Sequence, residues 1–426
     1  MELKLTDENY CATVVRLDEF IPLPGCDRIK HARVCNSLVI VSAESQKGDW
    51  GIYFPIESQI NSLFLHDNDL YSNPKSNGNP NKKGFFGNAG RVKAVKLRGF
   101  ISEGFFAPLS MIFPFAKANL KLGDKFNSVD GVDFCVKYTR PAKVHSTQAR
   151  ASKRQDRIVP GHFSLHDKTK NLRYNIDKIF PQSQISITEK WHGCNAVIGK
   201  SLCAPEKSWI NSLKEFFGIT IPPQYELIWS SRNVIKGVGE AKNEVNHFYG
   251  SDVWGYHARQ LEDKIPNGFV LYGEIVGWAG EKQIQKGYVY ECPFGASRFI
   301  CFGVKYISPD GVELNFTSTQ VAEFCYKLGI EYFIPHYQGP ADKLLEVGSN
   351  YADVSQWQEE FLNLLEARYI QNQMCQYNAM KVPAEGIVVR VESLEHTEFY
   401  KLKNWAFLEM ETNELDSPEV SIEEEN

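Results

Sequence analysis

Two opposite charges interrupt an alternating strand pattern at Glu189 and Lys190, and this interruption constrains the chain more than any other stretch. In Ile185-Ser-Ile-Thr-Glu-Lys190-Trp-His-Gly-Cys-Asn195, Ile185 and Ile187 alternate with polar residues, as in a half-buried strand. The alternation stops at Glu189. Gly193 then allows a tight turn, and Ala196-Val197-Ile198 begins a new apolar run. The pattern predicts a strand, a charged turn and a returning strand, with Lys190 at a sheet edge. Partial desolvation there can lower an amine's pKa enough to make it a nucleophile. Taken alone, the segment fits a solvated lysine at a hairpin equally well.

The rest of the chain narrows the setting. Its 426 residues are enough for two or three domains, and 43% hydrophobic with 13% aromatic residues can fill a substantial core. The net charge of -5 carries no global basic signature, so any nucleic-acid binding must use local patches. The ten cysteines form no CxxC pair and no zinc-like spacing, which points to reduced thiols in a cytoplasmic setting. The start does not read as a signal peptide, no apolar run reaches membrane-spanning length, and no obligate protein partner is indicated.

Residues 1–136 read as short strands separated by turn signals. Examples are Cys11 to Leu17, Leu38 to Val41 and Gly51-Ile-Tyr-Phe-Pro55, with Pro22-Leu-Pro-Gly25 between the first two, the pattern of a small barrel or sandwich. Residues 72–90, rich in Asn, Gly, Ser and Lys, read as a flexible loop. After it, Arg91, Lys93, Lys96 and Arg98 alternate with Val92, Val95 and Leu97. They fit either a groove that tracks a phosphate backbone or a solvated strand face. Residues 137–157 read as a basic linker in which Lys137, Arg140, Lys143, Arg150, Lys153, Arg154 and Arg157 outnumber a lone Asp156. Residues 158–410 read as a second domain. Gly268–Gly277, Arg298–Ile307, Ala384–Arg390 and Glu398–Asn404 read as strands. Helices are expected after the caps Asp252 and Asp353 and over Ser318–Leu328, stopped by Gly329. Residues 411–426 read as an acidic tail.

Several of these segments resemble motifs of the covalent nucleotidyltransferases. Lys190-Trp-His-Gly-Cys-Asn195 resembles motif I, in the His-Gly-x-Asn form of RNA ligases rather than the Asp-Gly form typical of DNA ligases. Ser230-Ser-Arg-Asn233 looks like motif Ia, Tyr272-Gly-Glu274 like motif III and Phe299-Ile-Cys-Phe302 like motif IIIa. Glu385-Gly-Ile-Val388 looks like motif IV and Lys401-Leu-Lys403 like motif V. Any one could arise by chance; six in the right order and rough spacing could not plausibly do so. The chain is similar overall to ATP-dependent RNA ligases with an N-terminal OB-like domain, the Deinococcus and Naegleria types, related to phage RNA ligases. Three choices depart from the pattern: Trp191, Cys194 and Gly303, the last where the family often carries Asp.

The resemblance implies an α+β protein. An N-terminal OB-like β-barrel module would be followed by a nucleotidyltransferase domain of antiparallel sheets with flanking helices. It implies ATP and Mg2+ or Mn2+ as cofactors, and RNA or an RNA-ended nicked duplex as partner. Lys190 would take AMP from ATP, pass it to a 5′-phosphate end and leave that end open to attack by a 3′-hydroxyl. Glu189, Asn195, Arg232, Glu274, Phe302, Lys401 and Lys403 would bind ATP together with Lys190. Glu274 and Glu385 would hold the metal, and Phe302 would stack on the adenine. Arg91, Lys93, Lys96 and Arg98 would contact nucleic acid. A DNA ligase or a capping-type guanylyltransferase would use the same lysine chemistry. A non-catalytic binding protein would be expected to lose Lys190 or a carboxylate, and none is missing.

Overall fold

The computed structural model describes residues 1–139, 157–206, 208–239, 249, 251–345, 353–378, 380–392 and 397–416. Most of the linker read from the sequence, residues 140–156, lies outside them. The chain divides into two units. The first comprises Met1–Ala142, Lys170–Lys178 and Trp405–Val420; the second comprises Lys143–Thr169, Ile179–Asn404 and Ser421–Asn426. Both are built from antiparallel sheets with helices, an α+β architecture. Among the described residues no helix is long and apolar enough to cross a membrane.

In the first unit, β1 (Ala12–Arg16), β2 (Ile29–Val34), β3 (Ser37–Ser42), β4 (Trp50–Pro55) and β5 (Gly104–Pro108) are the main strands. One sheet runs β5-β4-β1 and ends on Lys125–Phe126; β2 and β3 pair in another. Phenylalanine rings fill the core, with Phe54, Phe64 and Phe134 at centroid distances of 5.5 to 6.0 Å from one another. The loop over 72–90, expected to be flexible, is pinned. Buried Asn77 donates to the carbonyls of Tyr71 and Lys82 and accepts from the Tyr71 amide. Gly84 lies so close to Leu70 that a Cβ would sit 2.2 Å from its carbonyl carbon.

The second unit holds two sheets. β6 (Gln184–Lys190) belongs to one. β7 (Cys194–Cys203), β8 (Gln224–Ser230), β9 (Ile235–Val238), β10 (Phe269–Ala279), β11 (Ser297–Ile307) and β12 (Glu313–Asn315) form the other, in the order β9-β8-β7-β10-β11-β12. β6 lies between β13 (Tyr337–Pro340) and β14 (Gly386–Glu392), and β14 pairs in turn with β15 (Glu398–Lys403). The expected returning strand is therefore not a hairpin partner. After Lys190 the chain crosses from one sheet to the other, and Lys190 sits at the seam. Strand structure also persists through Glu189 and Lys190, because β14 pairs with both, Glu189 opposite Ile387 and Lys190 opposite Gly386.

Helices α1 (Val253–Leu261) and α2 (Ser318–Leu328) pack on the larger sheet, closing a core that includes Trp229, Trp254, Leu271, Ile275 and Cys325. Asp252 caps α1 by accepting from the Gly255 amide, and Gly329 ends α2 in the left-handed region at φ 59°. α3 (Val354–Tyr369) starts at the Asp353 cap and buries Trp357, Phe361 and Leu365. α4 (Trp405–Asp416) is helical where the acidic tail was expected to begin at residue 411, and it belongs to the first unit.

That helix supplies acidic partners to the basic strand. Arg91 is buried in a 2.7 Å ion pair with Glu57 and reaches Asp416 at 3.3 Å; Lys93 binds Asp416 at 2.7 Å and Lys96 binds Glu409 at 2.8 Å. Three of the four cations read as a groove for phosphates are thus committed to acidic partners. Arg98 alone is left at an exposed turn, with φ 52°. Arg91→Ala is expected to destabilise the protein by about 3 kcal/mol, because it removes the ion-pair partner of the largely buried Glu57 carboxylate. Thermal unfolding checks this. Loss of RNA binding at unchanged stability would restore the groove reading.

Candidate active site

The seam opens into a cleft with about 1380 Å³ of open space, lined among others by Glu189, Lys190, Asn195, Arg232, Glu274, Phe302, Lys401 and Lys403. The second unit alone supplies every lining residue.

Gly193 makes the crossing possible. A Cβ there would lie 2.5 Å from the Ile275 carbonyl oxygen and 2.8 Å from Glu274 Cγ, so only glycine lets the turn press against β10. The Gly193 amide donates to Glu274 Oε1 at 3.2 Å, and the Gln285 side chain donates to the Gly193 carbonyl at 3.0 Å. Trp191 lies flat on Tyr290, with ring centroids 4.3 Å apart and planes 13° apart, and a Tyr290 hydroxyl contact holds the His192 amide. Burial pushes the Glu189 carboxyl above its ordinary range. The unusual Trp191 thus braces the turn on which Lys190 is mounted. Asn195 faces Glu274 across the β7–β10 ladder; its carbonyl accepts from the Trp254 indole at 3.0 Å, and its buried side-chain oxygen has no hydrogen-bond partner.

Glu385 is the electrostatic centre. It is 2% exposed, with Oε1 2.8 Å from Lys190 Nζ and 3.5 Å from Lys403 Nζ, and Oε2 3.7 Å from His192 Nδ1. Burial alone would raise its pKa. Lys190, Lys403 and His192 more than offset that and hold the carboxyl below its usual range. Gly386 follows at φ 145°, where a Cβ would meet the Leu402 carbonyl oxygen at 2.0 Å, so β14 and β15 can close together only with glycine here.

Strand period two puts Lys401 and Lys403 on the cleft side of β15, while Tyr400 and Leu402 are buried behind them. Arg232 reaches the cleft from a turn closed by the Ser230 hydroxyl donating to the Val234 carbonyl at 3.0 Å. Phe302 is aimed differently. In the β10–β11 ladder Tyr272 pairs with Gly303 and Gly273 with Cys301, which leaves Phe302 as the extra residue of a bulge. The bulge turns the ring out of the ladder and into the cleft. Gly303 itself is not demanded by crowding, since a Cβ there would come only to 3.6 Å of Tyr272.

Two cleft residues carry no motif signal. His166 packs against Phe302 and Phe399, and Arg390 is 6% exposed with its guanidinium 5.3 Å from the centre of the Phe399 ring. The only hint of Arg390 in the sequence was a charge closing the apolar run of β14.

Comparisons with known proteins place the family and the fold. A family model described as RNA ligase matches residues 183–405, more than half of the chain, and one described as an OB-fold domain matches residues 11–109. No curated protein matches the sequence. Among solved structures, the fold is similar to Naegleria gruberi RNA ligase with PPi, with a TM-score of 0.58 and 17% identity over 96% of this chain and 100% of that one. It is also similar to a variant of that ligase with ATP and Mn, with a TM-score of 0.60 and 17% identity over 94% and 98%. A further variant, with AMP and Mn, gives 0.58 and 16% over the same shares. With the family model spanning the whole seam from the start of β6 to the end of β15, this chain belongs to the RNA ligase family.

Proposed function

We propose that the cleft binds ATP and that Lys190 carries AMP as a covalent intermediate on the way to joining a 3′-hydroxyl and a 5′-phosphate end of RNA. The observation that carries the proposal is Lys190 at a sheet seam, ion-paired with Glu385 in the cleft that the bulge-aimed Phe302 also lines. In the first step the Lys190 nitrogen lone pair forms a bond to the α-phosphorus. The bond from that phosphorus to the bridging oxygen breaks, and pyrophosphate leaves with the electron pair. The amine proton goes to solvent. A 5′-phosphate oxygen then displaces Lys190 from the phosphorus, and finally the 3′-hydroxyl attacks the activated 5′-phosphorus with AMP leaving.

The side chains divide these tasks. Lys401 and Lys403 face the cleft as two cations on one strand, suited to charge developing on α-phosphate oxygens. Arg232 supplies a third cation, with a planar fork that matches phosphate oxygens. Phe302 offers an aromatic face to the adenine, and Asn195 offers an unpartnered buried oxygen beside it in the same cleft. Glu189 lines the cleft next to Lys190.

The residues fit a divalent cation. Glu385 Oε2 is buried with no hydrogen-bond partner, and Glu274 opens onto the same cleft. Hard carboxylate oxygens suit Mg2+ or Mn2+, which are commonly held by one or two carboxylates plus water and substrate phosphates. No three metal-ligating side chains converge among the described residues, in keeping with such a mostly hydrated ion. When bound, the ion would offset charge on the α-phosphate and the departing pyrophosphate.

Phe302→Ala is expected to raise the KM for ATP about tenfold while the fold is kept, since a stacking face is worth roughly 1–3 kcal/mol per base. Initial rates of AMP-adduct formation against ATP concentration check this; an unchanged KM would assign the ring to packing. Ligation assays on RNA-ended and all-DNA nicks, with ATP and with GTP, test the substrate class. Sealing of all-DNA nicks in preference to RNA ends would contradict the proposal.

A further inference from the structure

His166 stands before β6, outside every motif-like segment, yet it lines the cleft. Three rings fix its orientation: Phe302 at 4.9 Å and 88°, Phe399 at 4.8 Å and 63°, and Tyr272 at 5.5 Å and 65°. Its Nε2 is buried without a hydrogen-bond partner. A buried ring nitrogen left bare beside an aromatic platform calls for a ligand group to complete it.

The charge state of the ring follows from the surroundings. Burial first, aided by the positive charges of Arg232 and Lys305, lowers the imidazole pKa to about 4, against an opposing contribution from Asp167, so the ring is neutral near pH 7. A neutral imidazole carries its proton on one nitrogen and a lone pair on the other, so an unpartnered Nε2 that bears the lone pair accepts from a ligand. In that tautomer the group that completes the site is a donor.

We propose that His166 is a specificity-determining residue, whose Nε2 accepts a hydrogen bond from the exocyclic amino group of the adenine stacked on Phe302. This rests on the reading of the cleft as an ATP site. Guanine carries a carbonyl oxygen where adenine carries that amino group, so two acceptors would face each other. A site built to bond a polar group rejects an analogue lacking it far more strongly than a hydrophobic site rejects a change in size. A ribose hydroxyl is the other donor that ATP could offer.

The test measures nucleotide-adduct formation by intact mass for the full-length protein with ATP, purine riboside triphosphate, 2′-deoxyATP and GTP. Purine riboside triphosphate differs from ATP only in lacking the amino group. The wild type is expected to prefer ATP over it by about tenfold or more. His166→Phe keeps a ring against the three aromatics and removes the acceptor. In this variant the preference for ATP over the purine analogue is expected to fall to about one, through KM rather than kcat. Its discrimination against 2′-deoxyATP is expected to stay as in the wild type. The proposal is overturned if His166→Phe keeps the full preference for the amino group, or if it loses discrimination against 2′-deoxyATP instead. It is also overturned, with no variant needed, if the wild type uses the purine analogue as well as ATP. A wild type that forms no adduct with any of the four nucleotides removes the ATP reading and this proposal with it.

Discussion

Glu385→Ala is expected to slow AMP-adduct formation by about 100-fold or more. The carboxylate is nearly inaccessible, and two lysines and a histidine converge on its two oxygens. Removing it takes from Lys190 and Lys403 the carboxylate they share, a defect worth about 3–5 kcal/mol of stability. Glu385→Gln keeps the shape and part of the hydrogen bonding, so it is expected to lose less stability while losing as much rate. The same network sets an acid dependence. The folded-state pKa of Glu385 is lowered, so its contribution to stability is complete above the ordinary carboxylate range and is lost as pH falls through the lowered value. Acid unfolding of Glu385→Gln should therefore show a shallower pH dependence than that of the wild type. A folded Glu385→Gln protein that forms the adduct at the wild-type rate would assign the carboxylate a purely structural role.

Lys190→Arg and Lys190→Ala are both expected to form no AMP adduct. The arginine variant is the more informative. A guanidinium keeps a positive charge near Glu385, so the ion-pair network and the fold should survive, but it stays protonated and cannot attack phosphorus. The loss therefore reads chemistry rather than stability. Sealing of RNA that already carries AMP on its 5′ end bypasses the first step. It should persist measurably in Lys190→Arg, because Lys401, Lys403, Arg232 and Phe302 are untouched. An adduct at the wild-type rate in either variant would remove Lys190 as nucleophile.

Much of the site was legible because strand and cap rules act locally. Period two in Tyr400-Lys-Leu-Lys403 was enough to place both lysines on one face, and Asp252, Gly329 and Asp353 mark helix ends by short-range hydrogen bonds and backbone conformation. What the sequence hid is non-local. That β6 and β7 lie in different sheets depends on which distant strands pair with each, and nothing in Ile185 to Asn195 encodes a partner. The bulge at Phe302 is a mismatch of counts between β10 and β11, invisible on either strand alone. The acidic partners of Arg91, Lys93 and Lys96 were hidden because Asp416 and Glu409 lie on a helix more than 300 positions later. His166 was missed because a lone histidine in a loop has no pattern, and its meaning comes from the three rings around it.

Mapping the modified residue tests the central claim most directly. The full-length protein is incubated with ATP and magnesium, its mass is measured intact, and the modified peptide is then sequenced by mass spectrometry. The account predicts a single added AMP, removable by excess pyrophosphate, on the peptide containing Lys190. AMP on any other residue, or no adduct from folded protein, would contradict it.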